Sequence, residues 1–225
     1  HKTVRRQRQM CIRDSFQISV LDKNHILMEE FNLKGAKTAK SIKDLVMNSD
    51  ILITCLPSPK ICAEVLESKD GIIDTIQKDQ IWIEMSTTED EQLKKHASLI
   101  EQKNAIALEA PVSGGCHRAA TGNISIFVGG SREGFDKAMP VLKCLGRKIL
   151  YTGDFGSASI LKVITNYLAT VHLVALGEAW TIASKSNLDL NKTFKGIAAS
   201  SGNSFVHETA VSYTHLTLPT NGLGG

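Results

Sequence analysis

The sequence predicts an α/β domain with a largely parallel sheet, followed by the first helices of an all-helical domain. Up to residue 152, apolar runs typical of buried strands alternate at steady intervals with amphipathic helical segments. After that point the pattern changes, because neither Gly nor Pro occurs between Gly156 and Gly177 and a helical pattern continues to Ser186. We therefore expect a domain boundary near Gly153–Gly156.

The elements of the α/β domain follow in order from these patterns. The run from Asp50 to Leu56 is almost entirely apolar and ends at Pro57, as in a parallel strand buried on both faces. Ser41 opens a segment that resembles a capping box, and Thr87 or Thr88 is the expected N-cap of a later helix. The other expected strands are 16–21, 81–85, 105–108, 124–128 and 148–151, and the other expected helices are 24–31, 59–66, 88–102, 132–144 and one after Asn187.

The net charge of +3 comes from one end of the chain. Residues 1–15 carry five basic side chains against one acidic side chain, whereas residues 211–225 carry no charged side chain. A basic arm of this kind could bind nucleic acid or a membrane surface. Both segments also resemble translated adapter sequence, and we favour this second interpretation, in which 1–15 and 211–225 are non-native tails. No nucleic-acid partner is then expected.

The cysteines and the apolar runs exclude other classes. The number of cysteines is five, which is odd, and none belongs to a C-x-x-C motif. Cys116-His117 lacks partners at zinc-ligand spacing, so we expect free thiols in a cytoplasmic protein and no metal site. No window approaches 18 uninterrupted apolar residues, and we therefore expect no transmembrane helix and no membrane partner.

A polar stripe on the long helix is the first candidate site. Its members Ser159, Lys162, Asn166 and Thr170 are three, four and four residues apart, so they share one helix face. Lys162 and Asn166 could together hold one small ligand. A half-buried lysine has a lowered pKa, which makes it usable as a general acid/base. The alternative is an exposed lysine on a solvated stripe.

A glycine-containing loop is the second candidate site. The segment Glu109-Ala-Pro-Val-Ser-Gly-Gly115 directly follows an expected strand. Glycine permits close backbone approach, so the N–H groups of such a loop could converge on a carboxylate. An ordinary tight turn is the alternative.

Four stretches of the chain, taken together, resemble the β-hydroxyacid dehydrogenase family. They occur here in the family's order and cover essentially all of residues 16–208. The stretches are Ile51-Leu-Ile-Thr-Cys-Leu-Pro-Ser-Pro59, Ile83-Glu-Met-Ser-Thr87, Glu109-Ala-Pro-Val-Ser-Gly-Gly115 with Gly122, and Gly156-Ser-Ala-Ser-Ile-Leu-Lys162-Val-Ile-Thr-Asn166. Order, spacing and placement make the combination specific, although each motif alone is not.

The resemblance implies a fold and a set of site residues. It implies a Rossmann-type domain that binds NAD or NADP, followed by a helical domain that closes over the substrate. Lys162 is implied as the catalytic lysine and Asn166 as the residue that holds both substrate and lysine. Two further sets are implied: Ser113, Gly114 and Gly115 for the substrate carboxylate, and Leu56, Pro57 and Thr87 for the cofactor site.

Asp22 bears on the choice of cofactor. It ends the strand that corresponds to the second strand of the nucleotide fold, where a carboxylate accepts hydrogen bonds from the ribose 2′-OH and repels a 2′-phosphate. NAD is therefore favoured, although the adjacent Lys23 leaves NADP possible. The alternative interpretation is a plain turn aspartate.

The chain departs from the family at several points. No G-x-G-x-x-G loop precedes Phe16, so we expect 16–152 to be a truncated dinucleotide-binding domain without its first strand, glycine loop and first helix. Residues 153–210 are expected to be only the first helices of the helical domain. Within the motifs, Glu109 stands where the family usually has Asp, Arg118 where it usually has Gly, and Thr165 where it usually has Asn.

The expected function is hydride transfer between a nicotinamide cofactor and a small 3-hydroxyacid of the 3-hydroxyisobutyrate type, with Lys162 as general acid/base. The expected partners are a small carboxylate-bearing hydroxyacid or semialdehyde and, for the intact protein, other copies of itself. A phosphogluconate-type dehydrogenase, an imine reductase relative, an inactive fragment and a non-enzymatic binding module are the alternatives.

Overall fold

The structure, a computed structural model, describes residues 16–86, 90–114, 118–119 and 121–209. It divides into two compact units between Lys162 and Val163, within a helix. The boundary expected near residue 153 lies before the start of that helix and stays a prediction.

The first unit alternates strands and helices, as the sequence predicts. Its strands are β1 (Ser19–Val20), β2 (Lys37–Thr38), β3 (Ile51–Thr54), β4 (Ile81–Glu84), β5 (Ile106–Glu109), β6 (Val112–Ser113), β7 (Ser125–Gly130) and β8 (Lys148–Gly153). Its helices are α1 (His25–Leu33), α2 (Ile42–Met47), α3 (Pro59–Glu67), α4 (Ile72–Thr75), α5 (Asp90–Glu101) and α6 (Arg132–Leu145). Helix α7 (Ser157–Lys185) begins in this unit and continues into the second.

The main sheet is mixed rather than parallel throughout. Strands β3, β4 and β5 are parallel neighbours, and β7 pairs with β8 in parallel. Strand β7, however, runs antiparallel to both β5 and β6. Strand β6 continues in the direction of β5, and the chain reverses between Ser113 and Ser125, so β7 returns alongside both strands. Strands β1 and β2 form a separate parallel pair.

Two hydrophobic clusters cover the two faces of the main sheet. Trp82 is fully buried in the cluster formed with α2 to α5, whereas its neighbour Ile83 is fully buried in the cluster formed with α6. Alternate residues of a strand point to opposite faces, so one apolar strand supplies both clusters. Strand β4 is therefore buried on both faces. The burial on both faces predicted for the run 50–56 is wrong for β3, because Ile53 is 40% exposed there.

Two helix starts follow the sequence signals closely. The Asn24 side chain accepts hydrogen bonds from the N–H groups of Ile26 and Leu27 at the start of α1. At α2, Ser41 Oγ accepts the N–H of Asp44 at 3.1 Å, and the Asp44 carboxylate accepts the N–H of Lys40 at 2.9 Å. The predicted cap is therefore present, with the reciprocal bond one residue before its usual position.

The second unit is helical. It contains most of α7, α8 (Leu190–Ala198) and a helical segment at 205–209. The Asp189 carboxylate caps α8 by accepting the N–H of Lys192 at 2.8 Å. The His207 ring is buried and lies 4.5 Å from the Phe194 ring.

Helix α7 exposes much of its apolar surface. Val163, Tyr167 and Val174 are all more than half exposed. Among the described residues, α7 alone is long and apolar enough to cross a bilayer, a test that core helices of soluble proteins also pass. The absence of a membrane partner therefore stays a prediction.

Candidate active site

The carboxyl ends of three neighbouring strands lie side by side and position the site. Thr54, Glu84 and Glu109 are the last residues of β3, β4 and β5, and they are register partners across the sheet. All three are buried. Ligands of open α/β sheets bind beyond such strand ends, so the loops that follow these residues are the candidate site.

Glu84 is a buried carboxylate that holds one corner of this edge. It accepts hydrogen bonds from Thr54 Oγ1 at 2.6 Å, from Cys62 Sγ at 3.1 Å and from the N–H of Ser86 at 2.6 Å. Thr54 Oγ1 in turn accepts the indole N–H of Trp82 at 2.9 Å. The charge is therefore satisfied by neutral donors from three elements.

Ser86 ties together two loops that the sequence assigned to the cofactor. Its Oγ accepts the N–H of Leu56 at 2.7 Å, so the loop after β3 is held directly against the loop after β4. Leu56 is half-buried and Pro57 is exposed. Thr87 lies outside the described residues. Of the three predicted cofactor-lining residues, Leu56 is thus the one that the structure bonds to Ser86.

Glu84 also affects two thiols. Burial, followed by the negative charge of Glu84, raises the pKa of Cys55. The same two causes raise the pKa of Cys62, whose Sγ is in addition hydrogen-bonded to Glu84. Both cysteines are free, as expected from the sequence, and a raised pKa keeps them in the thiol form.

Asp22 lies two residues beyond β1 and is exposed. One of its carboxylate oxygens accepts the N–H of Asn24 at 2.7 Å, so it forms the aspartate turn that the sequence left open as an alternative. Lys23 lies 3.7 Å from the Glu64 carboxylate at the surface. A contact of Asp22 with a ribose stays a prediction.

The predicted substrate loop is partly a strand. Val112 and Ser113 form β6 and pair with Ile126 and Ser125, instead of belonging wholly to a glycine-rich loop. The loop proper begins at Gly114, whose φ of +131° is a conformation that favours glycine. Gly115 lies outside the described residues.

Lys162 lies in the second turn of α7. It is half-buried, and this burial lowers its pKa, as the sequence predicted for a general acid/base. Asn166 lies one turn further along the helix and is exposed, and its carbonyl accepts the Thr170 hydroxyl at 3.0 Å. The two residues fall on either side of the division between the units.

Glu109 is completely buried at the end of β5, where it contacts the first turn of α7. One oxygen, Oε1, accepts the N–H groups of Gly156 at 2.8 Å and Ala158 at 2.7 Å. The other, Oε2, accepts the N–H of Ser159 at 3.3 Å and the Ser159 hydroxyl. The strand that leads into the predicted substrate loop is thereby bonded to the helix that carries Lys162.

Comparison with known proteins identifies the family. Residues 8–153 match the family model of the NAD-binding domain of 6-phosphogluconate dehydrogenase, and residues 156–217 match that of the NAD-binding region of NADP-dependent 3-hydroxyisobutyrate dehydrogenase. The chain belongs to the β-hydroxyacid dehydrogenase family. Both matches are to nicotinamide-nucleotide-binding domains, which confirms the expected class of cofactor.

Curated relatives in the family are about 30% identical. Mitochondrial 3-hydroxyisobutyrate dehydrogenase of Rattus norvegicus is 31% identical over 198 residues, which are 88% of this chain and 59% of that protein. The 2-(hydroxymethyl)glutarate dehydrogenase of Eubacterium barkeri is 30% identical, over 78% of this chain and 58% of that protein. The chain thus spans little more than half the length of these relatives.

Solved structures show the same fold. The 3-hydroxyisobutyrate dehydrogenase of Salmonella typhimurium superposes with a TM-score of 0.77 at 25% identity, covering 94% of this chain and 74% of that one. An imine reductase of Myxococcus stipitatus in complex with NAD+ also gives a TM-score of 0.77, at 17% identity, covering 95% of this chain and 71% of that one. The second similarity shows the fold alone.

The described residues fit part of a nicotinamide-nucleotide site of this family. Asp22, Leu56 and Pro57 follow the carboxyl ends of β1 and β3, where a dinucleotide binds in such sheets. The exposed Asp22 carboxylate offers acceptor oxygens to a ribose, and the bonded pair Leu56–Ser86 offers a preformed loop edge. These residues could hold the ribose and nicotinamide end of the cofactor.

Two features of the site were not predicted from the sequence. The first is the role of Glu84, which was considered only as part of a motif. The second is the set of groups that donate hydrogen bonds to Glu109. The available signal was the position of Glu84 in the apolar strand Ile81-Trp-Ile-Glu84, because a carboxylate buried there requires several hydrogen-bond donors. The identity of those donors depends on tertiary contacts.

Proposed function

We propose that this chain is part of a nicotinamide-dependent dehydrogenase for small 3-hydroxyacids, with Lys162 as general acid/base. The observation that carries the proposal is the bonding of Glu109 to the first turn of α7. It attaches the helix of a half-buried lysine to the strand that leads into Ser113 and Gly114. The chain segments that carry the Lys162 amine and the proposed carboxylate-binding loop are therefore joined directly by these hydrogen bonds.

The chemistry needs a base at the hydroxyl that is oxidised. When bound, a nicotinamide cofactor accepts the hydride from the carbinol carbon. Lys162 removes the hydroxyl proton in oxidation and returns it in reduction. Because burial lowers the pKa of Lys162, a larger fraction of the amine is neutral near pH 7 than for an exposed lysine.

The substrate class follows from the loop and from the relatives. The N–H groups of Ser113, Gly114 and Gly115 bind the carboxylate, and Asn166 donates to it or orients Lys162. The names of two relatives, 3-hydroxyisobutyrate and 2-(hydroxymethyl)glutarate dehydrogenase, describe acids with a hydroxymethyl group on the carbon that bears the carboxylate. We therefore infer a 2-substituted 3-hydroxypropanoate, oxidised to the semialdehyde.

NAD is the proposed cofactor, with NADP as the alternative. The Asp22 carboxylate accepts hydrogen bonds from the ribose 2′-OH and repels a 2′-phosphate. Lys23 is held toward Glu64 at 3.7 Å, which neutralises part of its attraction for that phosphate. Leu56, Pro57 and Thr87 line the nicotinamide end.

The test is reduction of NAD+ and NADP+, followed at 340 nm, in the 225-residue chain and in the complete reading frame that contains it. The substrates are 3-hydroxyisobutyrate, 2-(hydroxymethyl)glutarate, glycerate and 6-phosphogluconate, with a cyclic imine assayed in the reverse direction. Lys162→Ala should lower kcat by about 10²–10⁴-fold. Lys185→Ala, at the exposed end of the same helix, should leave it unchanged.

Two results would contradict the proposal. Activity of the Lys162→Ala protein equal to that of the unmodified protein would remove the lysine from the mechanism. Reduction of the imine without oxidation of any hydroxyacid would instead place the protein with the imine reductases.

The exposed apolar surface of α7 supports a further part of the proposal, that the intact protein is a homo-oligomer. Side chains such as Val163 and Tyr167 are 63% and 66% exposed, which is unfavourable in water. Light scattering coupled to gel filtration should give a multiple of the monomer mass.

A further inference from the structure

Glu109 belongs to a motif that resembles the family's, but the motif does not account for the burial and the hydrogen bonds of this side chain. It is fully buried, and all four of its donors lie in the short segment from Gly156 to Ser159. Three of these donors are backbone N–H groups at the start of α7, which have no carbonyl partner within the helix. A carboxylate here is also favoured by the positive end of the helix dipole.

The surrounding backbone leaves room for this carboxylate only because glycine is present. Gly129 is the register partner of Glu109 on β7. A Cβ on Gly129 would overlap Glu109 Oε1 and would come within 3.0 Å of the Asp154 carbonyl. Gly156, which donates to the carboxylate, has a φ of +103° that favours glycine. Two glycines therefore shape the cavity for one side chain.

The helix start is tied to the sheet by side-chain hydrogen bonds on β8 as well. Thr152 Oγ1 donates to the Val128 carbonyl at 3.0 Å and lies 2.7 Å from Ser157 Oγ. Ser159, which gives Glu109 two hydrogen bonds, is one turn before Lys162 on the same helix face. The position of Lys162 therefore depends on how the first turn is held.

We propose that Glu109 is a positioning residue that fixes the first turn of α7 against the end of β5 and thereby sets where the Lys162 amine stands relative to the loop at Ser113. The consequence for catalysis rests on the proposed function. The effect of Glu109 on the position of Lys162 does not rest on the proposed function, because it concerns only the surroundings of one lysine in the folded chain.

The test measures the reactivity of Lys162 in the 225-residue chain, without any turnover. Competitive labelling with acetic anhydride between pH 6 and 11, read by peptide mass spectrometry, reports the pKa of each lysine. Glu109→Gln keeps the shape of the side chain but presents an amide NH₂ to backbone N–H donors. We expect the first turn to shift, Lys162 to become more exposed and its pKa to rise toward the ordinary lysine value.

The matched control is Asp189→Asn, the same loss of charge at the cap of α8. It should leave Lys162 labelling unchanged. Glu109→Asp keeps the charge on a shorter side chain and should restore part of the native pKa. Ser159→Ala removes one donor without disturbing the strand, so it should move the pKa of Lys162 in the same direction as Glu109→Gln but by less. This variant replaces Glu109→Gln as the test if Glu109→Gln does not fold.

The outcomes separate the two proposals. A rise of the Lys162 pKa in Glu109→Gln and Ser159→Ala, but not in Asp189→Asn, supports the positioning role even if no hydroxyacid is oxidised. An unchanged Lys162 pKa in folded Glu109→Gln, or in Ser159→Ala where Glu109→Gln does not fold, overturns it. In the protein encoded by the complete reading frame, the same variants should lower kcat while the KM for NAD+ stays within about twofold.

Discussion

Two buried glutamates end neighbouring strands of the sheet, yet they do different work. Glu84, at the end of β4, is satisfied by Thr54, Cys62 and the N–H of Ser86, all beside the proposed cofactor loops. Glu109, at the end of β5, is satisfied by donors at the start of a helix, which lie 47 to 50 residues later in the chain. The comparison teaches that the same side chain at equivalent register positions can support either a local loop or a distant helix.

The largest expected effect is the difference in stability between variants that lack one or the other glutamate. Glu109→Ala leaves backbone N–H groups buried without an acceptor, and they cannot rotate to find another. We expect it to lower the free energy of unfolding by about 3–5 kcal/mol. Glu84→Ala should cost less, about 2–3 kcal/mol, because two of its three donors are side-chain groups that can reorient. Urea unfolding of both variants measures the difference, and a larger loss for Glu84→Ala would reverse the comparison.

Filling the space beside Glu109 should have the next largest effect. In Gly129→Ala the new methyl group overlaps Glu109 Oε1, so either the carboxylate or β7 must move. We expect a loss of about 1–3 kcal/mol in the free energy of unfolding. Gly177→Ala is the control, because a Cβ there meets nothing within 4 Å. Equal stability of the two variants would mean that the Glu109 cavity is not tight.

The hydrogen bond from Thr54 to Glu84 can be removed with little change of shape. Thr54→Val leaves the buried indole N–H of Trp82 without its acceptor and takes one donor from Glu84. We expect a loss of about 1–2 kcal/mol in urea unfolding, together with a change in tryptophan fluorescence. Thr193→Val, which removes an exposed hydroxyl on α8, should cost less. No fluorescence change would argue against the bond to Trp82.

The smallest expected effect concerns a thiol. The negative charge of Glu84 contributes to the raised pKa of Cys55, so Glu84→Gln should lower that pKa and increase the thiolate fraction. We expect the alkylation of Cys55 by iodoacetamide at pH 8 to become roughly two- to threefold faster, as followed by peptide mass spectrometry. Glu109→Gln should not accelerate it. An unchanged rate in Glu84→Gln would show that burial alone controls the thiol.

Much of the fold could be predicted because its signals are local. The cap at Ser41 and the apolar run of β3 depend on residues that are close in sequence. The exposed two-residue strand β2 and the four-residue helix α4 were not predicted. They are too short to carry a periodic pattern, and β2 is defined by its pairing with β1.

The candidate site was predictable in its parts but not in its connections. Ser113, Gly114 and Lys162 were chosen from motif and spacing, and Lys162 is half-buried as expected. The antiparallel direction of β7 was missed, because the direction of a strand depends on where the chain reverses rather than on the strand's own residues.

The sequence by itself determined the alternation of strands and helices, the family and the residue types that the chemistry needs. These properties follow from periodicity and from motifs within short segments. Only the tertiary structure decided that Glu109 bonds to Gly156, Ala158 and Ser159 and that Glu84 bonds to Thr54 and Cys62. A buried carboxylate must find donors, but which donors reach it depends on the packing of segments that are distant in the chain.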